Sequence, residues 1–308
     1  MQFSMPYMKK NAMSIKTHIE KNKCLKSLST FGVGGKARYF IAVHTIKEMQ
    51  QIAWFVQKEQ IPYWVVGKGS NTLFDDRGFN GLIILNKIEF MQLNGGTVNV
   101  GAGYPFSLLG KKTAKQGWSG VEFAACIPGS VGGAIYMNAG ANDCTTRDAL
   151  HSVTYVDMMG IIIQKQVEEL LFSYRSSCFQ KMEGFIVSGQ FTLKRDRQTA
   201  QRQLEMIIHR TNTQPCGEKS AGCVFRNPGD LSAGFLIEQC NLKGVQIGGA
   251  KVSTKHGNFI VNTGKATAKD ILNLIMLLQS IIKEKTGQIL KTEISLVPYE
   301  PIPLLKKK

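Results

Sequence analysis

The sequence predicts an α+β protein made of small mixed lobes, and three observations predict it. Short β-branched runs and helical periodicities follow one another along the whole chain. Gly81 restarts a strand too soon after Gly69 for the crossover helix of a doubly wound dinucleotide-binding unit, since parallel strands need about a dozen residues or more between them. Finally, 308 residues with 43% apolar and 19% charged side chains suffice for two or three globular domains, which rules out a disordered tail, a fibre or a disulfide miniprotein.

The elements follow in order. Residues 1–24 carry Met1, Met5, Met8 and Met13 without the pattern of a signal peptide, and are expected to be a partly disordered leader. Thr45 with Glu48 reads as a capping box, and Ile46, Met49, Ile52, Ala53 and Val56 then recur at helical spacing to about Gln60. Tyr63 to Val66 is an aromatic and β-branched strand entering a turn at Gly67. Gly81 to Leu85 and Val98 to Gly101 are further strands, followed by a helix over Ser107 to Gln116. From Gly117 to Thr145 the chain is glycine-rich yet apolar, which suits closely packed backbone rather than a solvated linker. Strands are expected at Val153 to Val156, Ile161 to Ile163, Phe185 to Ser188 and Phe191 to Lys194, then an amphipathic helix over Gln198 to Thr211. The last third has strands near Lys251 and at Phe259 to Val261, and a helix over Ala268 to Lys285 capped by Thr267 and Asp270. A strand at Thr292 to Val297 and a basic tail, residues 301–308, close the chain.

Lys and Arg number 38 against 22 Asp and Glu, a formal charge of +16 that favours anionic partners without choosing among them. The seven cysteines are scattered, odd in number and without a C-x-x-C pair, as expected of a reduced, cytoplasmic chain. Pro105 and Pro128 break the two longest uncharged stretches, and Ile271 to Ile282 is shorter than the roughly 20 residues a bilayer needs, so no membrane insertion is expected.

GKGSNT, Gly67 to Thr72, looks like half of a dinucleotide fingerprint, but Thr72 stands where the third glycine belongs and the next strand begins too soon. The loop is either an anion nest with Ser70, Asn71 and Thr72 as donors or a plain turn between strands. IPGSVGGAIYMNAG, Ile127 to Gly140, offers a turn at Pro128-Gly129, the hydroxyl of Ser130 and bare backbone at Gly132-Gly133. One extended anionic cofactor lying between two lobes explains both loops; backbone packed on backbone explains either one alone.

Six segments in order carry a specific resemblance: STFGVGGKARYF from Ser29, VVGKGSNTLFDDRGFNG from Val65, IPGSVGGAIYMNAGA from Ile127, SYRSSCF from Ser173, Gln214-Pro215 with SAGCVFRNP, and TEISLV from Thr292. Over about Leu25 to Pro298 the chain resembles the UDP-N-acetylenolpyruvoylglucosamine reductases, in the shorter subtype that lacks an inserted tyrosine loop. The resemblance implies a two-subdomain FAD-binding region of the vanillyl-alcohol-oxidase type, residues 25–92 and 93–197. A C-terminal α+β substrate-binding domain, residues 198–300, completes it. It implies NADPH as hydride donor, bound FAD, and a UDP-sugar substrate in peptidoglycan precursor synthesis. A cytoplasmic monomer with no nucleic-acid partner and no metal is expected.

The same resemblance implies the site. Arg175 matches the catalytic arginine, whose fixed, permanently charged fork suits a carboxylate. Glu293 matches a glutamate on the last strand; if protonated, it can hydrogen-bond the enediolate left by hydride addition, although a solvated strand glutamate is the ordinary alternative. Cys223 stands where many relatives have the proton-donating serine. A thiol, with a reference pKa of about 8.5, can donate a proton, while an unpaired cysteine also serves as a small buried hydrophobe. Gly67, Gly69, Ser70, Asn71, Thr72, Gly129, Ser130, Gly132 and Gly133 are carried over as cofactor-binding. Asn227 is carried over as a substrate contact, with Tyr174, Gln214, Arg226 and His256 as its neighbours. Another FAD oxidoreductase would share the glycine loops but not Arg175, SAGC and Glu293 together. A nonenzymatic anion-binding protein would group its basic residues on one face, whereas here lysines are spread through the chain.

Overall fold

The computed structural model describes residues 17–300; the expected leader up to residue 16 and the tail 301–308 lie outside the described residues. The described chain forms two compact units. The first holds residues 17–21, 39–67 and 81–207, and the second 22–38, 68–80 and 208–300. Helices and strands are mixed in both, as the α+β expectation has it.

In the first unit, five antiparallel strands run in the order Ile162–Gln166, Leu150–Val156, Phe185–Thr192, Thr97–Gly101, Met91–Asn94. Phe185 to Lys194, expected as two strands, is one strand followed by the short Lys194–Arg195. The intervening Gly189 is not a turn: a Cβ there would come within 2.8 Å of Ile135 Cδ1, so glycine lets the sheet close on the helix above it. The helix Ile46–Glu59 has the expected capping box, with Glu48 N–H on Thr45 Oγ1 at 3.1 Å and Thr45 N–H on Glu48 Oε2 at 3.3 Å. It buries Met49, Ile52, Ala53, Phe55 and Val56 with Val156, Phe185 and Val187 in one apolar cluster. Tyr63–Val66 pairs in parallel with residues 82–85.

The segment Ile127 to Gly140, expected as a loop, contains the helix Val131–Met137. Ser130 caps it by accepting the Gly133 N–H at 3.3 Å, and Asn138 ends it at φ +44° in the left-handed region. Glycines that look like loop residues are helical here because Gly132 lies on Ala102. A Cβ on Gly132 would sit 2.9 Å from that alanine's Cβ.

In the second unit, Gln246–Ile247, Ala250–Val252 and Ile260–Asn262 form a three-stranded antiparallel sheet. Thr72–Phe74 pairs in parallel with Ser295–Val297. The expected last strand is therefore shorter, beginning at Ser295 rather than Thr292. The helix Ala268–Thr286 starts at the Thr267–Asp270 capping box and buries Ile271, Leu274, Ile275, Leu278 and Ile282. The helix Ala233–Gln239 is an addition to the expected elements, marked in the sequence only by Ser232, whose hydroxyl accepts the Phe235 N–H.

One polar network ties the first unit together. Glu122 accepts from Ser119 Oγ at 2.9 Å, Gly120 N–H at 2.6 Å and Arg202 Nη2 at 3.1 Å, and Arg202 also pairs with Asp196 at 2.8 Å. Burial alone would raise the Glu122 carboxyl, but these donors outweigh it and hold it below the usual carboxylate range. A lowered folded-state value means a contribution that is complete above the ordinary carboxylate range and lost as pH falls through the folded value. Thermal unfolding should therefore show Glu122→Gln costing about 1–3 kcal/mol near neutral pH, with the gap to the parent closing as the solution is acidified. A gap that stays constant with pH would exclude the network as the source.

Candidate active site

Four stretches of the second unit meet edge to edge through their backbones. Glu293 N–H donates to Val224 C=O at 2.7 Å, and Arg226 N–H donates to Lys291 C=O at 2.9 Å. On the other edge of the same strip, Val224 N–H donates to Asn258 C=O at 2.9 Å. Asn71 joins from the far side: its Nδ2 donates to Glu293 C=O at 3.2 Å, and its own C=O accepts Ser295 N–H at 2.9 Å. Cys223 and Glu293, 70 residues apart in sequence, thus stand on paired backbones beside the GKGSNT loop, and both are half-buried.

The loop itself is braced from behind. Ser29 Oγ donates to Thr72 C=O at 2.9 Å, and Gly69 C=O accepts Thr30 N–H at 3.2 Å. Gly69 sits at φ +62°, and a Cβ there would overlap Leu28 C=O, so two separate constraints demand glycine. This explains STF in the first motif: those residues hold the loop that carries Ser70, Asn71 and Thr72.

In the first unit, Gly67 and Ser130 touch, and a Cβ on Gly67 would overlap Ser130 Oγ. The N–H groups of Val131 and Gly132 donate to Tyr104 C=O and Ala102 C=O, at 2.9 and 2.8 Å. Gly132 therefore acts through backbone packing, the alternative that the sequence left open for it, and Gly129, at φ +138°, turns the chain into the cap. The other end of the same helix holds Arg175. Asn138 Nδ2 donates to Ser173 C=O at 3.0 Å, Ser177 Oγ to Tyr136 C=O at 2.8 Å, and Gln180 Nε2 to Arg175 C=O at 3.0 Å. Ser173 and Ser176 exchange two backbone hydrogen bonds at 3.1 Å, which leaves Tyr174 and Arg175 as the two residues of a tight turn. Arg175 occupies φ +55°, where a side chain larger than that of glycine or asparagine is uncommon. Its guanidinium lies 5.1 Å from the centre of the exposed Tyr174 ring, and Nη2 reaches Gly140 C=O at 3.4 Å.

The remaining expected substrate contacts all fall in the second unit. Asn227 Oδ1 accepts Ala233 N–H at 3.1 Å, which fixes the start of the helix Ala233–Gln239. His256 Nδ1 accepts Asn258 N–H at 3.1 Å, and its ring packs edge-on to Phe259. Burial, then the cations Lys243 and Arg210, hold that imidazole below the ordinary histidine range, consistent with a neutral ring accepting at Nδ1. Among the described residues, two buried polar atoms in this unit have no hydrogen-bond partner, Gln214 Oε1 and Arg226 Nε, and a third, Tyr104 Oη, lies in the first unit. Buried polar atoms are normally satisfied, so each is a place for a ligand or water. Asn258, Ser29 and Tyr104 escaped the sequence reading, because a single Asn in a turn, a Ser and a Tyr carry no spacing signal.

Residues 214–297 match the C-terminal domain of UDP-N-acetylenolpyruvoylglucosamine reductase, and residues 37–165 match an FAD binding domain. A reductase of that name from Protochlamydia amoebophila is 52% identical over 97% of this chain and 99% of its own length. Another from Chlamydia muridarum is 46% identical over 92% and 96%. The crystal structure of the reductase from Thermus caldophilus superposes with a TM-score of 0.78 at 36% identity, covering 91% of this chain and 98% of that one.

The Gly67–Ser130 contact is testable by size. Gly67→Ala should lower the melting temperature by several degrees, a cost of about 1–3 kcal/mol from overpacking. Adding Ser130→Gly, which removes both side-chain atoms in the way, should recover most of that loss, since a glycine N-cap costs only a few tenths of a kcal/mol. An additive double variant would show that the two residues do not limit each other.

Proposed function

The chain belongs to the UDP-N-acetylenolpyruvoylglucosamine reductase family, and from that membership we infer how its own residues divide the family's reaction. The protein is an FAD-dependent oxidoreductase that uses NADPH to convert UDP-N-acetylglucosamine enolpyruvate to UDP-N-acetylmuramate, a step in peptidoglycan precursor synthesis. The observation that carries the assignment of roles is the paired backbone that sets Cys223 and Glu293 beside Asn71.

FAD fits the residues present. Ser70, Asn71 and Thr72 lie on a braced loop, Gly67 abuts Ser130 directly at the helix start, where Gly133 N–H donates to Ser130 Oγ, and among the described residues the buried Tyr104 hydroxyl has no partner. We assign the cofactor to Gly67, Gly69, Ser70, Asn71 and Thr72 and to Gly129, Ser130 and Gly133, with Gly132 shaping that cradle by packing on Ala102. When bound, FAD supplies the hydride, taken from NADPH, to the methylene carbon of the enolpyruvyl ether. The protein's part is charge and protons. Hydride addition leaves an electron pair on the neighbouring carbon, spread into the substrate carboxylate. The Arg175 guanidinium binds that carboxylate as negative charge builds up, and Glu293, in its protonated form, donates a hydrogen bond to the enediolate oxygen. The Cys223 thiol gives its proton to the carbon and recovers one from solvent. Tyr174, Gln214, Asn227 and His256 are assigned to the UDP-sugar, Gln214 having the strongest support because its buried Oε1 lacks a partner.

We assign residues 25–92 and 93–197 to the two FAD-binding subdomains and 198–300 to the substrate-binding domain. We also place the protein in the cytoplasm as a monomer. None of the seven cysteines forms a disulfide, and no helix among the described residues is long and apolar enough to cross a membrane.

The purified protein should be yellow, bleach with NADPH and recover its colour with the enolpyruvyl substrate. Cys223→Ala should bleach normally and recover about 10²–10⁴-fold more slowly, whereas Cys223→Ser keeps appreciable activity. Equal loss of both half-reactions would assign that thiol to structure alone. Arg175→Gly should be no less stable than the parent, since it relieves a left-handed backbone worth about 1 kcal/mol, yet lose turnover with the enolpyruvyl substrate. A fully active Arg175→Gly would remove the guanidinium from the mechanism.

A further inference from the structure

We propose that Asn258 is the positioning residue that sets the Cys223 thiol for proton transfer, by replacing a β-strand along one edge of the Cys223 segment. The inference rests on Cys223 being the proton donor, which the Cys223→Ala measurement tests separately.

The segment from Cys223 to Arg226 has backbone partners on both edges but belongs to no regular sheet. On the Glu293 edge the partners are ordinary peptide groups. On the other edge one residue supplies three bonds. Asn258 C=O accepts Val224 N–H at 2.9 Å, its Oδ1 accepts Phe225 N–H at 2.9 Å, and its Nδ2 donates to Phe225 C=O at 2.8 Å. A side-chain amide thus acts as a peptide group would in a ladder, and these bonds cover the two residues that follow Cys223. Asn258 is 3% exposed, so water cannot take over either bond.

The chemistry is specific to this amide. Aspartate can accept from Phe225 N–H but cannot donate to its C=O, leucine can do neither, and glutamine is one methylene too long. Asn258 is itself oriented, since its N–H donates to His256 Nδ1 at 3.1 Å and Phe259 N–H donates to His256 C=O at 3.1 Å. Gly222, preceding the thiol, is at φ +77° with nothing within 4 Å of a Cβ position, so the segment has no side-chain wall before Cys223. Cys223 itself bridges to Phe259, the neighbour of Asn258, and the bonds that Asn258 and Glu293 make to the residues after the thiol add to the hold on its backbone. Asn258 touches no reacting atom in this scheme; it acts through Cys223.

The test compares the two half-reactions of the FAD-loaded protein. Asn258→Asp should bleach with NADPH within about 2-fold of the parent but recover its colour with the enolpyruvyl substrate about 10–100-fold more slowly, as a misplacement near 1 Å would produce. The limiting rate should fall while the substrate concentration at half-maximal rate stays put. In the Cys223→Ala background the same substitution should add less than about 2-fold, because the group it positions is gone. Slowing of both half-reactions alike, or full multiplication of the two effects, would overturn the proposal. Should Asn258→Asp fail to fold, Asn258→Ser keeps the backbone C=O that accepts Val224 N–H and removes the amide that pairs with both the N–H and the C=O of Phe225. It should then show the same selective fall in limiting rate, several-fold in size; an unchanged limiting rate, or a change confined to the substrate concentration needed, would equally overturn it.

Discussion

The peptide of Glu293 is the constraint on which the second unit's chemistry depends. Its N–H is held by Val224 C=O and its C=O by the Asn71 amide, so one residue joins the glycine loop to the thiol-bearing segment. A slip of one residue along either edge would reverse which side chains face which way, since side chains in extended backbone alternate. Nothing in the Cys223 segment enforces the register by itself. It is enforced by neighbours 30 to 70 residues away, and the amide of Asn258 does as much of this as any strand.

The first unit solves a different problem, that of holding a cation in an unfavourable turn. Arg175 sits in the left-handed region, a position that in a turn ordinarily goes to glycine or asparagine. The turn persists because Asn138 and Gln180 donate to its carbonyls at Ser173 and Arg175, while Ser177 and Gln180 tie the segment to Tyr136 C=O near the end of the helix Val131–Met137. That helix is fixed in turn at its start by Ser130, against Gly67, and at Gly132, against Ala102. Backbone strain located at Arg175, the arginine proposed to bind the substrate carboxylate, is the pattern of a site whose surroundings over-determine it.

Much of the fold could be read directly from the chain where local signals were strong. Capping boxes at Thr45 and Thr267 fixed two helix starts to the residue, and the apolar faces that follow them are the buried ones. The readings that failed share a cause. Gly132 is expected in a loop and Gly189 falls between two expected strands, although each lies where a neighbouring side chain comes too close for a Cβ. A glycine's conformational freedom is visible in sequence; the atom that would collide with its side chain is not. The short helix Ala233–Gln239 and the role of Asn258 were hidden likewise, since a cap or a clamp is defined by its partner.

By itself the sequence determined the class of fold and the family, because six ordered motifs and two strong helix caps are properties of the chain alone. Only the tertiary structure decided which glycines shape backbone packing, how the Asn71, Glu293 and Cys223 segments come into register, and that an asparagine amide completes the edge of a strand. Each of these depends on hydrogen bonds and close contacts between residues far apart in the chain, and such contacts leave no periodicity or spacing to read.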